Sequence, residues 1–195
     1  LNLAKGGTLE AFLTSTIVVA LAEIGDKTQL LSLLLAARYR KPLPIVAGIL
    51  VATLANHFLA GVLGAWIRTV MPPDIMRWVV GGSLLAIALW TLKPDKLDGE
   101  VKESTRAGLF MLTCVVFFLA EMGDKTQIAT IVMAAKYEPL YAVVVGTTLG
   151  MMIANVPVVY LANMAADRIP FRAVRVVTAL LFAGLGVAAL AGIGG

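Results

Sequence analysis

Six apolar runs constrain this chain more than any other feature. They lie at about residues 9–37, 43–67, 75–92, 107–135, 140–166 and 174–193, each of bilayer-spanning length and parted from the next by a short polar break. A backbone in hydrocarbon has to close its hydrogen bonds within the segment, so runs of this length read as α-helices. Composition agrees: at 59% hydrophobic and 14% charged residues, with a mean hydropathy of +0.90, a chain of 195 residues has more apolar surface than a water-soluble domain can bury. The expected fold class is all-α, a polytopic membrane protein of six transmembrane helices in a lipid bilayer. The breaks combine charge with proline: Arg38-Tyr39-Arg40-Lys41-Pro42, Met71-Pro72-Pro73-Asp74, Glu138-Pro139 and Asp167-Arg168-Ile169-Pro170. The net charge of +4 sits in these connections, where it reports topology and excludes a nucleic-acid surface. Lys5 ahead of an apolar run imitates a signal peptide. That run holds Glu23, Asp26 and Lys27 and meets no small-residue cleavage site, so a retained helix is expected. The start at Leu1 without methionine is read as the trimming of a few native residues. The single cysteine, Cys114, forms no disulfide framework or thiolate metal site within one chain.

Two of the runs carry the same charged nonapeptide at their centres. Ala22-Glu23-Ile24-Gly25-Asp26-Lys27-Thr28-Gln29-Leu30 returns as Ala120-Glu121-Met122-Gly123-Asp124-Lys125-Thr126-Gln127-Ile128, identical at seven of nine positions. Over residues 21–39 and 119–137, eleven of nineteen positions are identical, Ser32 matches Thr130, and further along Gly48 matches Gly146. Asn56 and Asn155 correspond only if the register slips by one residue. The chain therefore reads as a first repeat of three helices, 1–92, a linker at 93–106 with four basic and four acidic residues, and a second repeat at 107–195. Three helices is an odd number, so the second repeat enters the membrane from the opposite side, and the repeats are inverted as in many secondary transporters. Arg38, Arg40, Lys41, Lys93, Lys96, Lys102, Arg106, Arg168, Arg172 and Arg175 fall on one side, and only Lys5, Arg68, Arg77 and Lys136 on the other. The positive-inside rule then places the linker in the cytoplasm and both termini outside the cytoplasmic (inner) membrane.

Ionisable groups at mid-membrane signal function. A continuous helix over 9–37 would be about 42 Å long against a hydrocarbon core of ~30 Å, and Gly25 and Gly123 mark the points where helices 1 and 4 are expected to break. On a regular helix Glu23, Asp26 and Lys27 would share a face. Two repeats together offer four carboxylates, Glu23, Asp26, Glu121 and Asp124, with Thr28, Gln29, Thr126 and Gln127 as neutral oxygens, a shell suited to a hard divalent cation. Four carboxylates and two lysines sum to −2, which one such ion neutralises, whereas an empty site takes up protons or leaves charges unpaired. Lys27 and Lys125 are read first as structural counter-charges held off the cation, and otherwise as groups that occupy the carboxylates when the ion is gone. The competing reading of the motif is interhelical glue, with Glu23 paired to Lys27, but glue does not require the same residues twice. Asn56 and Asn155 are either further neutral ligands or an interhelical hydrogen bond. His57, the only histidine, is read as packed or hydrogen-bonded, with a proton relay or a nitrogen ligand as the alternatives. Pro157 is expected to kink its helix and free the carbonyl of Ile153.

Two copies of E-x-G-D-[KR]-[ST], at Glu23 to Thr28 and Glu121 to Thr126, make the whole chain resemble the GDT family of Ca²⁺/Mn²⁺:H⁺ antiporters, also called the calcium:cation antiporter-2 family, whose bacterial members include manganese exporters. The resemblance implies that Glu23, Asp26, Glu121 and Asp124 bind the cation and couple it to protons. The expected function is export of Mn²⁺, with Ca²⁺ as the alternative cargo, in exchange for protons by alternating access. Export of an amino acid or small organic cation would need an organic pocket that the sequence does not specify. An enzyme is not expected, since there is no H-E-x-x-H, second histidine or nucleophile-base pair, and no cofactor is implied. The oligomeric state is left open.

Overall fold

Helix punctuation here comes from proline and from residues that accept a left-handed backbone. It divides the computed structural model into eight helices and no strand among the residues it describes, 7–92, 106–161 and 171–192. The first half holds α1 (Thr8–Glu23), α2 (Lys27–Tyr39), α3 (Pro42–Val70) and α4 (Pro73–Thr91). The second holds α5 (Arg106–Glu121), α6 (Lys125–Lys136), α7 (Leu140–Tyr160) and α8 (Phe171–Leu190). Arg40, left-handed at φ 51°, closes α2 by donating its N–H to Ala36, and Pro42 opens α3 where a missing N–H costs nothing. Pro73 opens α4 in the same way. The linker residues 93–105 and the break at 167–170 lie outside the described residues. So do Lys5, Lys93, Lys96, Lys102 and Arg168 of the charge asymmetry, together with the side chains of Arg106, Arg172 and Arg175.

Among the described residues three helices are long and apolar enough to cross a membrane: Pro42–Val70, Asp74–Thr91 and Leu140–Tyr160. The 9–37 run is two helices, α1 and α2, bent by 67° at a short break, and together they also reach spanning length. The 107–135 run is likewise two helices, α5 and α6, separated at Met122-Gly123-Asp124. The surface is apolar, with Leu43, Leu89 and Leu180 among the many large hydrophobic side chains turned outward, while Ser15, Thr53, Thr113, Thr130 and Thr147 are buried. Polar groups inside and apolar groups outside suit a bundle in lipid.

The halves interlock. α1 packs on α7 and its counterpart α5 packs on α3, while α4 and α8 pack on each other. The contacts are reciprocal in detail. A Cβ on Gly48 would meet the Phe110 carbonyl at 3.0 Å, and one on Gly146 would meet the Phe12 carbonyl at 2.6 Å, Phe12 and Phe110 being equivalent positions of the two halves. Small residues thus let the helices of one half lie against the backbone of the other. The tightest such contact is Gly64, where a Cβ would stand 2.2 Å from the Ile131 carbonyl, whereas Gly82 faces open space. Gly64→Ala should cost about 1–3 kcal/mol through overpacking and lower the melting temperature in detergent, while Gly82→Ala should leave it unchanged or raise it. Equal melting temperatures for the two variants would contradict this packing.

Candidate cation-binding site

The motif is built from the backbone break outward. Gly25 at φ 82° and Gly123 at φ 73° adopt a left-handed conformation that other residues resist, and this turns the chain between helices. Each break is closed by the same bond: the Asp26 N–H donates to the Glu23 carbonyl at 2.9 Å and the Asp124 N–H to the Glu121 carbonyl at 3.1 Å. The shared helical face expected for Glu23, Asp26 and Lys27 is therefore absent, because the helix ends at Glu23 and restarts at Lys27. Glutamine stabilises each turn. Gln29 Oε1 accepts from the Gly25 N–H at 2.8 Å and Gln127 Oε1 from the Gly123 N–H at 2.7 Å. Their amide nitrogens cross to the other half, Gln29 to the Ala154 carbonyl at 3.0 Å and Gln127 to Asn56 Oδ1. Both ends of each glutamine amide are engaged in holding the break.

All four motif carboxylates are sealed: Glu23, Glu121 and Asp124 expose no surface and Asp26 exposes 1%. In each half a threonine hydroxyl touches both acids. Thr28 Oγ1 donates to Glu23 Oε1 and lies 3.5 Å from Asp26 Oδ2, and Thr126 Oγ1 lies 2.9 Å from Glu121 Oε2 and 3.3 Å from Asp124 Oδ2. The lysines pair across the halves and not within them. Lys27 Nζ lies 3.0 Å from Asp124 Oδ1, and Lys125 Nζ pairs with Asp26 Oδ1. A pairing of Lys27 with Glu23 is thus replaced by one with the other repeat, since the bend carries Lys27 away from its own glutamate. Glu23 and Glu121 each share a threonine hydroxyl with the aspartate of their own half. Their remaining oxygens, Glu23 Oε2 and Glu121 Oε1, have no hydrogen-bond partner among the described residues.

The third helix of each half, α3 and α7, supplies what faces the opposite glutamate. Asn155 Nδ2 donates to Glu23 Oε1 at 3.0 Å, with Asn155 Oδ1 held by the Ser32 hydroxyl at 2.5 Å. Against Glu121 stands His57, fully buried, with Nε2 3.9 Å from Glu121 Oε2. Asn56 bonds between helices, accepting from Gln127 and donating to the Phe118 carbonyl at 3.2 Å. Asn155 is therefore the counterpart of His57, and Asn56 is the counterpart of Ala154, whose carbonyl takes the matching glutamine bond. This corrects the Asn56–Asn155 pairing: the register set by Glu23 and Glu121 runs unbroken through α3 and α7, and carrying it on without a slip finds His57 opposite Asn155 in the sequence alone. Pro157 lies inside α7, which continues to Tyr160. Among the described residues no three side chains of His, Cys, Asp and Glu stand close enough together to hold a metal jointly.

A family described as "Divalent cation/proton antiporter GDT1" matches the chain over residues 11–99 and 109–193, one segment for each copy of the motif. A Vibrio cholerae protein named "Putative manganese exporter" is 58% identical over 169 residues, 86% of this chain and 84% of that one. The "GDT1-like protein 4" of Oryza sativa is 30% identical over 205 residues, covering 91% of this chain and 72% of its own length. A GDT1-like protein of Synechocystis is 28% identical over 198 residues, 89% of this chain and 93% of that protein. No solved structure matches.

Proposed function

The chain belongs to the GDT1 family of divalent cation/proton antiporters, and on that premise we propose that it exports divalent cations, Mn²⁺ foremost, across the cytoplasmic membrane in exchange for protons. The observation that carries this reading is a charge imbalance in a sealed place. Four buried carboxylates meet two lysines, and one oxygen of each glutamate lacks a hydrogen-bond partner among the described residues. A charge of −2 inside a membrane bundle is costly, and one divalent cation or two protons neutralise it. Exchange of the one for the other is antiport. The name of the Vibrio cholerae relative supports Mn²⁺ as cargo.

In this reading α1 with α2, and α5 with α6, are broken spans, which with α3, α4, α7 and α8 makes six spans in two inverted repeats, 1–92 and 107–195. The reciprocal contacts of the halves support the arrangement. The distribution of basic residues supports a cytoplasmic linker at 93–106 with both termini outside. The cation binds at the meeting of the repeats, on Glu23, Asp26, Glu121 and Asp124, with the Thr28 and Thr126 hydroxyls as neutral ligands. The glutamines, Asn56 and Asn155 hold the breaks and glutamates in place. Without cation, Lys27 and Lys125 lie on Asp124 and Asp26. An entering ion draws the acids from the lysines and displaces protons, the repeats rock, and protons from outside release it.

The test is flux into liposomes holding the purified chain, comparing Mn²⁺, Ca²⁺ and Mg²⁺ under an imposed pH gradient. Mn²⁺ movement should follow the gradient and reverse with it, and apparent Mn²⁺ affinity should weaken as pH falls, because each bound ion displaces protons. Flux indifferent to the gradient, with affinity constant across pH, would leave a uniporter. Faster coupled flux of Ca²⁺ than of Mn²⁺ would change the cargo and keep the mechanism.

A further inference from the structure

The two halves share one register, and one position breaks their equivalence where it bears on the cation. Glu23 faces the amide of Asn155, which bonds to it at 3.0 Å. Glu121 faces the imidazole of His57 at 3.9 Å, too far for a hydrogen bond. His57 is fully buried, and neither ring nitrogen has a hydrogen-bond partner among the described residues. A sealed imidazole with both nitrogens unused is an expensive way to fill space that the other half fills with a bonded asparagine. It is explained if a third body sits between the ring and the carboxylate. Two ligands of one ion, each bound at about 2.0–2.2 Å, stand ~3 Å apart when adjacent and ~4.4 Å apart when opposite, and 3.9 Å lies within that span. Glu121 Oε1 also has no hydrogen-bond partner among the described residues, and Asp124 is joined to Glu121 through the Thr126 hydroxyl, so an ion that drew these groups together would find oxygens beside the ring.

We propose that His57 is a nitrogen ligand of the transported cation on the Glu121 half of the site, and that it biases the site toward a transition-metal ion such as Mn²⁺ and against Ca²⁺. This rests on the carboxylate site proposed above and names what makes that site selective. An all-oxygen shell serves Ca²⁺, which takes six to eight oxygens, whereas imidazole is a ligand of first-row transition metals. The Glu23 half, with asparagine in the equivalent place, provides oxygen ligands alone, so selectivity resides in one half of a duplicated structure.

His57 is the only histidine of the chain, which makes the test specific. The full-length protein, purified in detergent with a histidine-free affinity tag, is loaded with Mn²⁺ and its electron spin echo modulation is recorded. Imidazole ¹⁴N coupling to the bound Mn²⁺ is expected in the wild type and should vanish in His57→Asn, which copies the other half. In the same preparations the ratio of Mn²⁺ to Ca²⁺ affinity should fall at least about tenfold in the variant, on the scale by which losing a metal-site group weakens binding. Mn²⁺ bound to the wild type without nitrogen coupling overturns the ligand assignment and leaves the carboxylate site standing, even if the variant fails to fold. Equal losses for Mn²⁺ and Ca²⁺ overturn the selectivity role. A wild type that binds no Mn²⁺ overturns both readings at once.

Discussion

Glu23→Gln and Glu121→Gln should each lower Mn²⁺ flux by at least about 100-fold, the upper range for loss of a metal-site group, while the melting temperature in detergent stays level or rises. The two effects run in opposite directions for one reason. Among the described residues the ion pairs of the two motif lysines are with the aspartates, Lys27 on Asp124 and Lys125 on Asp26. Each glutamate is fully buried and carries an oxygen without a hydrogen-bond partner among the described residues. Glutamine has the same shape and still accepts the threonine hydroxyl, so Thr28 and Thr126 keep their bonds at the amide oxygen. What is lost is a charge that costs stability in the absence of cation and provides affinity in its presence. The pH dependence of Mn²⁺ affinity should flatten with the flux, because a glutamine has no proton to exchange. Variants that transport at the wild-type rate would remove the glutamates from the site. Variants that lose both flux and fold would make them structural.

The motif was legible because it is written twice, and the helix breaks were legible because glycine stands between two acids in both copies. Gly25 and Gly123 take the left-handed backbone that only their lack of a Cβ makes inexpensive. Partners across the halves were not legible. Periodicity along one helix places Lys27 above Glu23, but the turn at Gly25 ends that periodicity, and Lys27 meets Asp124 instead. No local rule reports a contact between residues so far apart in the chain. Gln29 and Gln127 stand out in a list of side chains only as possible oxygen ligands, and nothing there shows that each also satisfies the glycine N–H freed by its break. The counterpart of His57 was present in the sequence, hidden by the likeness of two asparagines one residue out of register.

The cross-paired lysines should differ in what they hold together. Lys125 and Asp26 are both buried almost completely, with 3% and 0% of their side chains exposed, whereas 26% of the Lys27 side chain is exposed beside Asp124. Lys125→Ala takes the ammonium from a carboxylate that water does not reach, and breaking a buried ion pair from one side costs about 3–5 kcal/mol. Lys27→Ala also strands a sealed carboxylate, Asp124, but the ammonium it removes is itself partly exposed, so its cost should be smaller, about 1–3 kcal/mol. The first variant should therefore melt well below the second in detergent at neutral pH. Adding Asp26→Asn to Lys125→Met removes both charges together and should recover most of the stability, because an uncharged pair of similar volume leaves nothing buried to compensate. It should not recover Mn²⁺ flux, since Asp26 is lost as a ligand. Equal melting temperatures for the two alanine variants would mean that the cross pairs are not what joins the halves. Restored flux in the double variant would mean that Asp26 serves only to hold Lys125.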